Sequence, residues 1–333
     1  MIEHFKKIFL KEDPFTDILG QDEIKKQMKS ALIVGRHILI IGPPGIGKTT
    51  LAKNISKLLP NLEVNDCAYH CSPNNPQCPE CRAGKSKKKT IQGSERFVRI
   101  QGSPDLTAED LIGDIDPTKA MQYGPLSIQA FTPGKIFKAN QGVLFFDELN
   151  RCPEKLQNAL LQALQEGYVT IGSYDVDLQT NFIFLGTMNP DDSNTEKIAD
   201  VLLDRFDVVY MSYPEKLETE IKIVKKAGKN LVNFHDKLLT LGVLFVRLLR
   251  ENKDVEKKPG VRASIGLYER AQANAFLANR DSVTSQDLKD AIISVVAHRI
   301  KLKPSISYLT SEVNFVKERL EKFLEDNTKG DFT

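Results

Sequence analysis

Apolar residues follow two rhythms along this chain. Up to about residue 213, short unbroken apolar runs alternate with amphipathic stretches; beyond it only the helical rhythm remains. His37–Ile41, Phe97–Ile100, Val143–Phe146 and Phe182–Gly186 are strand-like apolar runs rich in Ile, Leu, Val and Phe. Between them, the spacing over Lys48–Leu59 and Pro153–Gln165 predicts amphipathic helices. Such alternation predicts a mainly parallel sheet covered by helices. After Tyr213-Pro214 the pattern predicts helices only, over Glu215–Ala227, Phe234–Glu251, Ala263–Ala278, Ser285–His298 and Ser311–Asp326, with Ser285 as the cap of the fourth. The expected fold class is α/β: an αβα domain over residues 1–213, followed by an all-α domain over residues 214–333.

Composition bounds this picture. A chain of 333 residues has room for two cores. With 46 basic against 44 acidic residues the net charge is +2, so no global field points to nucleic acid. The apolar runs are far too short to cross a bilayer, and MIEHFKKIFLKEDPF has no small-residue cleavage site. We therefore expect a cytoplasmic protein without membrane insertion. In that compartment thiols stay reduced, and clustered cysteines point to metal rather than to disulfides.

The chemistry begins after the first strand. Gly42-Pro43-Pro44-Gly45-Ile46-Gly47-Lys48-Thr49 fits the phosphate-loop pattern G-x-x-x-x-G-K-[ST], and a helix starting near Thr50 follows. Glycines let backbone N–H groups curl around phosphate oxygens, and the helix N-terminus adds partial positive charge. Lys48 is placed to reach the β- and γ-phosphates, and Thr49 to ligate Mg²⁺. Downstream, Val143-Leu-Phe-Phe-Asp147-Glu148 delivers two carboxylates at the end of a buried strand, where open α/β sheets hold their ligands. Asp147 is expected to hold the Mg²⁺ shell and Glu148 to polarise the attacking water. Asn189, at the end of Phe182-Ile-Phe-Leu-Gly-Thr-Met-Asn189-Pro190, is expected to orient that water.

With these residues in order, the chain resembles the AAA+ ATPases of the MoxR family, in the helix-2-insert clade, and more distantly the ATPase subunit of magnesium chelatase. Ile18-Leu-Gly20-Gln21 is similar to the segment that lies beside the adenine in that family. Gly134-Lys-Ile-Phe-Lys-Ala-Asn140, Asp147-Glu-Leu-Asn-Arg151 and Lys155–Glu166 resemble its central signature. Leu202-Leu-Asp-Arg205-Phe206 and Gly260-Val-Arg262-Ala-Ser264 resemble its arginine motifs. The resemblance implies that Arg205 is an arginine finger reaching a neighbouring subunit's ATP. It makes Arg262 a second sensor at the start of a lid helix, acting on its own or a neighbour's site. It also implies a hexameric ring that remodels or matures a partner, one carrying a von Willebrand factor A domain. Pro104–Phe131 falls where that clade carries its helix-2 insert, and Gly167–Gln179 resembles its hairpin before the first sensor, with Gly172-Ser-Tyr174 as the turn and Tyr174 as a partner contact.

Two further readings stay open beside this one. A magnesium-chelatase-type ATPase subunit shares the same motifs, although the Gly134–Asn140 and Asp147–Arg151 blocks fit MoxR better. A nucleic-acid motor related to the MCM helicases shares the insert, but only Arg82-Ala-Gly-Lys85-Ser-Lys87-Lys88-Lys89 speaks for it, and such a charge run is ordinarily a solvated loop.

One segment departs from the family pattern. Cys67-x3-Cys71-x6-Cys78-x2-Cys81, over residues 67–81, suits a structural Zn²⁺ held by four thiolates. An iron–sulfur cluster and a metal-free loop are the other readings of this spacing, and His70 is an alternative ligand. Cys152 stands apart and reads as a small buried residue.

Overall fold

The computed structural model describes residues 2–10, 13–171, 176–190, 192 and 198–328. Its chain divides into two compact units, Met1–Gly42 with Gly47–Met211, and Pro43–Ile46 with Ser212–Thr333. The first unit is built on five strands: β1 (His37–Ile41), β2 (Phe97–Gln101), β3 (Val143–Asp147), β4 (Ile183–Met188) and β5 (Phe206–Tyr210). They pair in the order β5-β1-β4-β3-β2, every pair parallel. Parallel pairing requires long crossovers, and the helices Lys48–Lys57 (α1) and Glu154–Glu166 (α2) lie in two of them.

Burial explains why the central strands read so clearly in the sequence. Phe145, Phe146 and Phe184 are wholly buried, and Phe184 stacks on Phe206 at 5.2 Å and lies 6.2 Å from Phe146, centroid to centroid. β4 outruns its apolar run by two residues, because Thr187 and Met188 still pair with Ile40 and Ile41. β5 gave no comparable signal. It is an edge strand whose Val208 and Tyr210 face solvent while Phe206 and Val209 are buried.

Two excursions leave this sheet. Leu62–Asn65 and Lys88–Ile91 pair antiparallel and enclose the cysteine segment. Gly113–Ile115 pairs antiparallel with Phe131–Pro133, closing a loop that holds the short helix Pro117–Tyr123, capped by Asp116. A hairpin of Tyr168–Ile171 and Val176–Gln179 precedes β4. Its turn, with Gly172, Ser173 and Tyr174, lies outside the described residues.

In the second unit the long helices are α3 (Leu217–Ala227), α4 (Asp236–Glu251), α5 (Val261–Leu277), α6 (Ser285–Val296) and α7 (Glu312–Thr328). The expectation of helices alone needs correction: Val255–Lys257 and Lys301–Leu302 form a small antiparallel pair that buries Val255 and Leu302. Strands this short show no period in a sequence. The cap of α6 also moves by one residue. Thr284 is the N-cap, its N–H and Oγ1 both donating to Asp287 Oδ2 at 2.8 and 2.7 Å, and Ser285 is the first helical residue. Thr284 with Asp287 forms a reciprocal capping box, which Ser285 has no partner to match.

Candidate functional site

The sheet order brings the chemistry to one edge. β4 lies between β1 and β3, so the segments that follow β1, β4 and β3 leave neighbouring strands at the same carboxyl edge. Chain connections there reverse direction around β1, the crevice where open parallel sheets bind ligands.

Gly42 continues the ladder from β1, its N–H donating to Met188 O at 3.1 Å. Gly45 and Gly47 take φ of +78° and +100°, a region that side chains disfavour, which lets the loop turn into α1. Pro43, Pro44 and Ile46 complete the loop between them. Gly47 caps α1, so Lys48 and Thr49 stand in its first turn followed by the exposed Thr50. Lys48 Nζ donates to Gly42 O, folding its charge over the loop. Ile18 is buried, and its Cδ1 would lie 3.9 Å from a Cβ built on Gly47. Asp17 anchors that segment to α1 by accepting from Asn54 Nδ2 at 3.0 Å and Lys57 Nζ at 2.9 Å. The turn through Gly20 and Gln21, both at positive φ, then opens the helix Asp22–Ile33.

The two carboxylates are held from the strands beside them. Thr187 Oγ1 donates to Asp147 Oδ1 at 2.7 Å and accepts the Glu148 N–H at 2.9 Å. From β2, Arg99 Nη2 lies 2.6 Å from Asp147 Oδ2, and Gln101 Nε2 donates to Glu148 Oε2 at 2.9 Å. Arg151 bridges Glu148 at 3.1 Å and Asp192 at 2.5 Å, and its bond to Asp192 raises its own pKa. Glu148 turns in the left-handed region, φ 56°, which swings its side chain out of the strand line. Gly102 makes this turn possible: a Cβ there would stand 2.0 Å from Glu148 O. Asn189 follows Met188, which is in register with Ile41, and its carbonyl accepts from Asn150 Nδ2 at 3.3 Å. Thr187, Arg99, Gln101 and Gly102 went unread in the sequence. Their roles come from neighbouring strands rather than from any spacing, and only the Gly-Thr-Met-Asn run carried a hint.

Arg205 does not join this group. It precedes Phe206, which is in register with His37 at the opposite end of β1 from the phosphate loop. A strand of that length spans about 16 Å, more than an arginine side chain reaches. Its guanidinium instead contacts Asp204 Oδ2 at 3.0 Å and Gln165 Oε1 at 2.9 Å. Arg262 is the second residue of α5, exposed to solvent.

The four cysteines converge. The Sγ atoms of Cys67, Cys71, Cys78 and Cys81 all lie within 4.8 Å of one another, with Cys67 half-buried and the others buried. Four thiolates at ~2.3 Å from one tetrahedral ion stand about 3.8 Å apart. This spacing suits a single ion; the thiolates of an iron–sulfur cube each bind a different iron and spread wider. Backbone N–H groups already point at sulfur, Cys71 N to Cys67 Sγ at 3.3 Å and Gln77 N to Cys71 Sγ at 3.4 Å. A hydrogen bond from Cys67 holds the Cys71 thiol below its ordinary pKa, while burial pushes Cys78 up to about 12. His70 stays outside the set, so it is no substitute ligand. Asn75 Nδ2 and Gln77 Nε2 both donate to Gln179 Oε1, at 3.2 and 3.5 Å, tying the segment to the hairpin before β4. The basic run beside it is partly neutralised, Lys88 by Glu63 at 3.1 Å and Lys89 by Asp66 at 2.6 Å. Cys152 is fully buried. Among the described residues no helix is long and apolar enough to cross a membrane.

Comparison with known proteins agrees with this arrangement. Three family models match in succession: the magnesium chelatase ChlI subunit over residues 14–77, the ATPase family associated with various cellular activities over residues 82–208, and an AAA lid domain over residues 258–317. The first two meet within the cysteine segment. A magnesium-chelatase ChlI homolog of Methanocaldococcus jannaschii is 28% identical over 94% of this chain and 91% of its own length. The ChlI subunit of Synechocystis is 27% identical over 87% of this chain and 89% of its own. The RuvB Holliday junction branch migration motor of Thermotoga maritima shares the fold, with a TM-score of 0.51 at 17% identity, over 85% of this chain and 72% of that one. The relatives carry the chelatase name, which puts the second sequence reading ahead of MoxR. This chain is an AAA+ ATPase, an ATP-hydrolysing enzyme related to the ChlI subunit of magnesium chelatase.

Proposed function

We propose that the chain is one subunit of a hexameric ring in which Mg-ATP hydrolysis rearranges a partner protein or complex, as a magnesium-chelatase-type ATPase subunit. The observation that carries the ring is the place of Arg205. It stands a strand's length from the phosphate loop of its own chain, so an arginine finger at this position serves a neighbour. MoxR-like maturation of a client is the sister reading, and both imply a partner with a von Willebrand factor A domain. In the Arg82–Lys89 run that speaks for the nucleic-acid reading, Lys88 and Lys89 pair with the acids Glu63 and Asp66.

The residues divide the chemistry. The loop from Gly42 to Gly47 presents N–H groups to the phosphates, and Lys48 leaves its carbonyl partner to meet the β- and γ-oxygens. Ile18 and Gly20 border the base. Thr49 and Asp147 are the residues that would hold Mg²⁺, which would neutralise charge on the phosphates. Glu148 takes a proton from the attacking water, and Asn189 fixes that water in line. Gln101 and Arg151 set the direction of the Glu148 carboxylate before nucleotide arrives. Arg205 of a neighbour and Arg262 stabilise charge as the γ-phosphoryl transfers. The cysteine set would hold Zn²⁺ as a structural brace for the segment between residues 67 and 81, a reading its converging sulfurs support.

Subunit mixing tests this reading. Glu148→Gln and Arg205→Ala should each bind ATP and each lose about 100-fold or more in turnover. Mixed rings should regain activity, because an Arg205→Ala subunit keeps Glu148 and borrows Arg205 from a Glu148→Gln neighbour. Rings that assemble yet stay inactive when mixed would exclude action across the interface.

A further inference from the structure

The helical unit buries one carboxylate at the junction of three helices. Glu220 on α3 is wholly buried, and no motif accounts for it. Arg250 of α4 meets it with two bonds, Nη1 to Oε2 and Nη2 to Oε1, both 2.9 Å. Arg247, one turn earlier, adds a contact to Oε2 at 3.2 Å, and Ser264 of α5 donates its hydroxyl to Oε1 at 2.8 Å. Burial alone would raise the pKa of Glu220; Arg250 and Ser264 outweigh it and hold the group below the ordinary carboxylate range.

The two arginines also reach backbone on either side. Arg247 donates to Pro214 O at 2.8 Å and Glu215 O at 2.7 Å, in the segment that leads into the unit. Arg250 Nε donates to Pro259 O at 3.0 Å, and its guanidinium lies 4.4 Å from the Tyr213 ring centroid. The next residue, Gly260, is the N-cap of α5 and offers no side-chain cap. The first turn of α5 is therefore held at its start by Arg250 and at its fourth residue by Ser264, with Arg262 between the two.

A buried ion network is poor evidence of stability as such, since apolar residues of the same volume pack as well. What it supplies is direction: each bond fixes a backbone or hydroxyl at a set angle. We infer that Glu220 is a positioning residue for ATP turnover, which through Arg250 and Ser264 fixes the start of α5 and so the reach of Arg262. The inference rests on the reading that Arg262 acts on ATP.

Steady-state ATP kinetics and thermal unfolding of the full chain separate the possibilities. Arg262→Ala should raise KM for ATP or lower kcat roughly tenfold, the scale of one charge-assisted contact. Glu220→Gln keeps the shape but turns an amide toward two arginines, and should move the same parameter in the same direction by about three- to tenfold. Ser264→Ala, a small change that does not threaten folding, should give a weaker shift of the same kind. In the Arg262→Ala background, Glu220→Gln and Ser264→Ala should add no further kinetic loss. The inference is overturned if these two substitutions lower the melting temperature alone, or if their kinetic losses add to that of Arg262→Ala. Normal kinetics in Arg262→Ala itself would overturn the assigned role of Arg262, and the positioning role with it.

Discussion

Gly102 shows how much of the site depends on a residue that carries no chemistry. Its missing side chain is what lets Glu148 O pass, and Gly102→Ala should cost about 1–3 kcal/mol of stability as β2 and β3 are pushed apart. Turnover should fall by more than folding does, since Gln101 loses its register with Glu148; chemical denaturation and an ATPase assay read the two effects separately. Thr187→Val makes a complementary test. It keeps the volume but leaves the Glu148 N–H and Asp147 Oδ1 without the hydroxyl they share, at an expected cost of about 1–3 kcal/mol. Lys48, Asp147 and Glu148 were legible because loop, strand and helix constrain their order in the chain. Thr187, Gln101 and Gly102 were not, because strand pairing selects them across gaps of many residues. Arg96 is a third case: this buried arginine donates to the carbonyls of Gln92, Pro60 and Gln141, and its bonds pin the start of β2.

At the scale of elements, the central strands with apolar runs were readable, and so was the cysteine segment by its spacing, while the edge strand Phe206–Tyr210 and the two short strands of the helical unit were not. β5 hides at a sheet edge, and the cysteine segment has sulfur where other loops have a core. That segment predicts a measurable ion content. Purified protein should carry about one Zn²⁺ per chain by atomic emission, and Cys78→Ser should lose most of it and lower the melting temperature. Iron in place of zinc, or an unchanged melting temperature, would count against a structural zinc. The cap of α6 predicts a pH dependence. Arg280 and the Thr284 donors hold Asp287 well below the usual carboxylate pKa. The folded-state pKa is depressed, so this contribution is complete above about pH 5 and is lost as pH falls from ~4 downward. Asp287→Asn should cost about 1–2 kcal/mol at neutral pH and make unfolding less sensitive to acid in that window. Melting curves from pH 7 to pH 3 measure both.

For the whole molecule, the order β5-β1-β4-β3-β2 does more than shape a sheet. It sets Arg205 at one end and the phosphate loop at the other, and the proposed ring rests on that separation. Sedimentation with ATP should show an assembly of about six chains that Arg205→Ala weakens or desynchronises. The same order has a consequence for biosynthesis. β1 and β3 are not neighbours; β4 fills the space between them, and its last residues are made some 140 positions after the phosphate loop opens. A nascent chain can therefore expose a finished phosphate loop and both acids while they still lack a common frame. Nucleotide binding should therefore begin only once Met188 has left the ribosome, and a fragment that stops before it should be inert toward ATP in a binding assay however well its first helices form.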